Sequence, residues 1–84
     1  MVGRVLHIDG FDNLITNIKS GDVPPGKAVI AVGGHRIHGI SQFYAHAQGL
    51  AAIMGSSGYL EISLKNGSAA KFTGAKVGHE VRLE

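Results

Sequence analysis

Two short segments carry the polar side chains whose types and spacing can do chemistry. The first has the sequence DGFDN over residues 9–13 and continues into the apolar stretch LITNI. Asn13 offers both a hydrogen-bond donor and an acceptor, which suits the edge of a nucleobase, and Asp9 offers a carboxylate for a cationic group. Turn residues whose side chains only cap their own loop explain the same pattern equally well.

The second segment has the sequence GSSGYLEI over residues 55–62. Ser56 and Ser57 lie in a sharp turn that opens a strand, and backbone amides and hydroxyls in such a turn can hold a carboxylate. Local capping is again the alternative. The two explanations predict different spatial arrangements. A pocket requires the two segments to meet although they lie far apart in sequence, whereas capping needs only local neighbours.

Other kinds of site have little support in the sequence. The chain has no cysteine, and His35 and His38 are spaced so that a strand would place them on opposite faces, so no metal site is expected. The net charge of +2 is too small to indicate binding to nucleic acid or to an acidic membrane. With no apolar run long enough to span a bilayer and no secretory signal, we expect a cytoplasmic protein.

The elements that must position these segments are short strands. Thirteen glycines among 84 residues predict many turns, and the pattern indicates six to eight strands in one domain over residues 1–84. The clearest alternation, Tyr59 to Leu64, predicts a central strand that buries Leu60, Ile62 and Leu64. Two further strands are predicted at Ala69 to Thr73 and Glu80 to Leu83. We therefore expect an all-β fold, a small antiparallel β-barrel that leaves few exposed strand edges.

Four motifs occur in the same order in one known family. They are DGFDNLITNI at residues 9–18, VPPG at 23–26, GSSGYLEI at 55–62 and NGSAA at 66–70. Together they resemble the C-terminal domain of the S-adenosylmethionine (SAM) hydroxide adenosyltransferases, relatives of the fluorinase and chlorinase. The resemblance covers nearly the whole chain.

The resemblance implies a β-barrel that follows a larger N-terminal α/β domain. Family members assemble as trimers, and the active site lies between the N-terminal domain of one subunit and the barrel of its neighbour. There SAM is hydrolysed to adenosine and methionine, with SAM as substrate and no other cofactor. The water-activating acid, arginine and histidine belong to the N-terminal domain, for which these 84 residues hold no counterpart, so the chain alone is expected to be inactive.

The resemblance also assigns residues to the methionine end of SAM. Asp9 matches the acid that meets the methionine amino group. Ser56 and Ser57 match the pair that holds the amino and carboxylate end.

For the adenine end, Asn13 matches the asparagine that contacts the base edge. Leu64 and Asn66 fall where the family offers backbone groups to the adenine, and Tyr44 or Phe43 falls near the aromatic that stacks on it. Asp12 stands where the family usually has glycine. If that position needs a positive φ, Asp12 carries modest strain, because aspartate is one of the few residues that tolerate it.

The expected function is therefore that of an adenosyl-binding barrel, the recognition half of a SAM hydrolase. Two alternatives remain open. One is an independent β-barrel interaction module, and the other is a nucleic-acid-binding barrel that stacks bases on aromatic side chains. The small number of aromatics, three phenylalanines and two tyrosines, disfavours the second.

Overall fold

The computed structural model describes residues 1–24, 28–41, 49–55 and 57–84. In these ranges the chain forms eight strands, one short α-helix and a 3₁₀ turn at Ser20–Asp22. The strands and the helix are β1 (Val2–Ile8), β2 (Leu14–Lys19), β3 (Val29–Val32), β4 (His35–His38), β5 (Ile40–Ser41), β6 (Leu50–Met54), β7 (Tyr59–Leu64), α1 (Ala69–Thr73) and β8 (Glu80–Leu83). In the same ranges, no helix is long and apolar enough to cross a membrane.

The strands form one nearly closed barrel in the order β4-β3-β8-β1-β2-β7-β6-β5. Seven of them pair antiparallel, as the sequence predicts, whereas the short β5 pairs parallel to β6. The edge strands β4 and β5 follow one another in the chain and are joined by Gly39, whose φ is +83°. Strand β1 pairs with β8 through Val2, Gly3 and Arg4 and with β2 from Val5 onwards. Its pairing with β2 has a register shift between Val5 and His7.

The core lies inside the barrel and consists mainly of β-branched and leucine side chains. Leu14, Ile30, Leu60, Ile62 and Val81 have no exposed surface. Strand β7 has the predicted bounds and buries Leu60 and Ile62, but Leu64 is only half-buried because it lies at the end of the strand and lines a pocket. A Cβ at Gly3 would come within 2.5 Å of the Ile18 side chain, so only glycine lets β1 pass so close to β2.

The strand predicted at Ala69 to Thr73 is wrong, because these residues form helix α1. The flanking residues explain the difference. Ser68 caps the helix by accepting a hydrogen bond from Lys71 N, and Gly74 ends it with a φ of +73°. Two alanines at its start favour helix over strand. The strand predicted at Glu80 to Leu83 is confirmed as β8.

Candidate functional site

The loop between β1 and β2 is organised by the carboxylate of Asp9. Its Oδ1 accepts hydrogen bonds from the backbone amides of Phe11 and Asn13, both at 2.9 Å, and its Oδ2 accepts one from Asn13 Nδ2 at 3.1 Å. The Asp9 amide also donates to the Asn13 carbonyl at 3.1 Å. Asp9 therefore caps its own loop, as the local alternative predicts, while one acceptor position remains on Oδ2 because a carboxylate oxygen has two.

Asp12 meets the condition under which the sequence analysis expects modest strain, because its φ is positive. Its φ is +61°, in the left-handed region that glycine occupies without strain. The carbonyl of Asp12 accepts a hydrogen bond from Ala70 N in the first turn of α1, at 3.1 Å. This bond ties the β1–β2 loop to the helix that follows β7.

A second loop, between β7 and α1, meets the first one at this point. Gly67 N donates to the Leu64 carbonyl and Lys65 N donates to the Gly49 carbonyl, both at 3.2 Å, while Asn66 has a φ of +58°. In the described ranges, no residue accepts a hydrogen bond from the backbone amide of Asn66. That donor is therefore available to a ligand.

The two loops enclose a pocket of about 590 Å³. This volume falls within the usual range for small-molecule sites, roughly 300–1,000 Å³. Four residues predicted for a site line it: Asp9, Asn13, Leu64 and Asn66. The pairing of Leu14 with Ile62 explains how they meet, because the next pair along brings Asn13 opposite Ser63, which also lines the pocket. Residues that lie far apart in the sequence thus share one pocket.

The lining includes residues that the sequence analysis did not assign to a site. Phe11 is 83% exposed at the pocket, and Lys65 lies beside Asn66. An exposed aromatic ring offers a flat face on which a planar base can stack. The available signal was a phenylalanine between Gly10 and Asp12, in a turn with no core position for it to fill.

The predicted serine turn lies at the other end of β7. Strand β7 begins just after this turn, at Tyr59, and ends at Leu64 in the pocket, roughly 17 Å away at about 3.4 Å per residue. Ser57 is not among the residues that line the pocket, and Ser56 lies outside the described residues, as do Phe43 and Tyr44. The expected meeting of this turn with Asn13 stays a prediction.

An acid that was not singled out in the sequence lies near this turn. The carboxylate of Glu61 contacts the Cα side of Gly55, in the space that a Cβ would occupy. On the sheet, Glu61 stands between Ile15 of β2 and Ile53 of β6. Glu61 therefore lies on β7 between the pocket at one end of the strand and the serine turn at the other.

Comparison with known proteins decides the family. The sequence profile of the SAM hydroxide adenosyltransferase C-terminal domain matches residues 3–82. The chain belongs to this family of domains. It is 37% identical over 82 residues to the (R)-S-adenosyl-L-methionine hydrolase of Thermus thermophilus, and this match covers 96% of the chain but 31% of the relative.

Solved structures agree with this assignment. A crystal structure of a conserved hypothetical protein from T. thermophilus superposes with a TM-score of 0.83 at 35% identity, over 99% of this chain and 34% of the other. A conserved protein from Thermotoga maritima gives a TM-score of 0.81 at 25% identity, over 98% of this chain and 35% of the other. The chain thus spans about a third of the length of these relatives.

Proposed function

We propose that this barrel binds the adenosyl part of S-adenosylmethionine and serves as the recognition half of a SAM hydrolase. The observation that carries the proposal is the pocket between the β1–β2 and β7–α1 loops, in a domain of this family. Its lining combines what an adenine requires. Asn13 provides a paired donor and acceptor, the Asn66 amide provides a further donor, and Phe11 provides a flat apolar face.

The proposal extends to the methionine end of the substrate. SAM is elongated, with adenine and the amino-acid group at opposite ends, so one molecule can run from the pocket along β7 towards Ser56 and Ser57. Its ammonium and sulfonium groups are cationic, and two carboxylates are available to them: Asp9 in the pocket and Glu61 on β7, beside Gly55. Tyr44 or Phe43 is the proposed second stacking aromatic. SAM enters as substrate, and no other cofactor is proposed.

For the whole enzyme, we propose that the water-activating residues come from an N-terminal α/β domain, contributed by a neighbouring subunit of a homotrimer. The T. thermophilus relative is named as a SAM hydrolase, and the barrel corresponds to 31% of its length. On this proposal the barrel supplies binding contacts and the other domain supplies the chemical step, in the cytoplasm. Half of a composite pocket binds weakly, because fewer contacts offset the cost of association.

Calorimetric titration of the 84-residue chain tests the binding proposal. Adenosine and SAM are expected to bind weakly but saturably. Asn13→Ala is expected to weaken both by about 1–3 kcal/mol, because hydrogen-bonding groups of the base are left unpaired. The matched control is Asn17→Ala, since Asn17 lies on the exposed side of β2, where its Oδ1 accepts from Arg4 N. Absence of binding in the wild-type chain, or equal affinity in Asn13→Ala, would refute the proposal.

A further inference from the structure

The hydrogen bonds of the β1–β2 loop decide which way the amide of Asn13 faces. An asparagine amide has nearly the same shape in its two orientations, and only its hydrogen bonds distinguish oxygen from nitrogen. Asp9 Oδ2 lies 3.1 Å from Asn13 Nδ2. An ionised carboxylate only accepts hydrogen bonds, so rotating the amide by half a turn would place two acceptors against each other.

The carboxylate of Asp9 is itself held in place. Its Oδ1 accepts from two backbone amides of the same loop, which fixes the position of Oδ2. Asn13 is 9% exposed, so its side chain has little room to turn away. In the described ranges, the Asn13 side chain donates to Asp9, and no residue donates to Asn13 Oδ1. The amide therefore keeps a free acceptor on Oδ1 and a second hydrogen on Nδ2.

We propose that Asp9 is a positioning residue that locks the Asn13 amide in one orientation and thereby makes the pocket selective for 6-aminopurines over 6-oxopurines. The proposal rests on the adenosyl-binding function proposed above. Adenine presents an amino donor at position 6 beside a ring-nitrogen acceptor, and an asparagine amide pairs with both. Hypoxanthine, the base of inosine, presents an oxygen acceptor at position 6. This oxygen would face the Oδ1 acceptor of Asn13, and neither atom could donate a hydrogen bond.

Substituting Asp9 by its isosteric amide gives a sharp test. In Asp9→Asn, the side-chain oxygen can still accept from the Phe11 and Asn13 backbone amides, so the loop keeps its cap. The nitrogen of the substituted side chain faces Asn13 as a donor. Asn13 is then expected to turn its own Oδ1 towards that side chain. The pocket would present an NH₂ group where it previously presented an oxygen.

The measurement is the ratio of the affinities for adenosine and inosine. The wild-type chain is expected to prefer adenosine by about tenfold or more, and Asp9→Asn is expected to lose or reverse that preference. Asp12→Asn is the matched control, because it makes the same chemical change in the same loop at a residue that does not line the pocket. It is expected to keep the preference.

The outcomes separate this inference from the proposed function. If the wild-type chain binds neither nucleoside, the proposed function fails. If it binds both equally, or if Asp9→Asn keeps the wild-type preference, the positioning role of Asp9 is overturned while adenosyl binding stands.

Discussion

At the scale of single residues, the two explanations offered for Asp9 and Asn13 are compatible. Local capping and ligand binding looked like alternatives, because a side chain that caps its loop has no need of a ligand. In the structure Asp9 caps the loop, and that same cap leaves Asn13 at the pocket with one unused acceptor. Because these hydrogen bonds already order the loop, ligand binding loses less conformational entropy there.

Asp12 gives a prediction about backbone strain. Because its φ is +61°, a residue with a Cβ is strained there, aspartate less than alanine, and glycine not at all. Asp12→Ala is expected to lower the free energy of unfolding by about 1 kcal/mol, whereas Asp12→Gly is expected to hold or raise it. Urea denaturation followed by circular dichroism measures the difference.

Asp22→Ala is the control for the Asp12 series, because Asp22 is exposed and its φ is not positive. It is expected to change stability by less than about 0.5 kcal/mol. Equal stabilities of Asp12→Ala and Asp12→Gly would show that backbone strain at this position is unimportant.

At the scale of elements, β7 joins the core to the pocket. Its inward side chains Leu60 and Ile62 are fully buried, while Ser63 and Leu64 at its end line the pocket. Ile62→Ala removes atoms from the middle of this strand and leaves a cavity. We expect a cost of about 2–5 kcal/mol in the free energy of unfolding, measured by the same denaturation method.

The control for β7 is Val77→Ala, which removes apolar atoms from a side chain that is 63% exposed. Its cost is expected to stay below about 0.5 kcal/mol. If Ile62→Ala cost no more than this control, the assignment of the buried face of β7 would be wrong.

The elements also show what could be predicted from the sequence. Strand β7 was predicted with its observed bounds because alternation over six residues is a strong local signal. Helix α1 was missed because five residues are too few to show a helical period, and its evidence lies in the flanking Ser68 and Gly74. The parallel pairing of β5 with β6 depends on how the barrel closes, which no local pattern encodes.

The candidate site was predictable only in part for a related reason. The motifs identified Asp9, Asn13, Leu64 and Asn66, and the structure brings these residues together at one pocket. Local capping in this loop was one of the two predicted explanations, but the bond from Asn13 Nδ2 to Asp9 Oδ2 could not be predicted, since it depends on loop geometry within a few tenths of an ångström. Phe11 was missed because one aromatic residue in a turn gives no periodic signal.

At the scale of the whole molecule, the barrel corresponds to about a third of its relatives, so its part in catalysis is a separate question from binding. We expect the 84-residue chain to show no SAM hydrolysis at an enzymatic rate, because the residues described hold no evident arrangement for activating water. Chromatographic measurement of adenosine release tests this. Release that scales with protein concentration and disappears in Asp9→Ala would contradict the expectation.

The central claim is that the pocket between the β1–β2 and β7–α1 loops is an adenosyl site. Titrating the ¹⁵N-labelled chain with adenosine and following its amide signals tests this claim most directly. The largest shifts are expected at Phe11, Asn13, Leu64 and Asn66, which line the pocket. Absence of saturable shifts, or shifts centred on the shallow groove beside Gly34 and His79 on the β3–β8 side of the barrel, would contradict it.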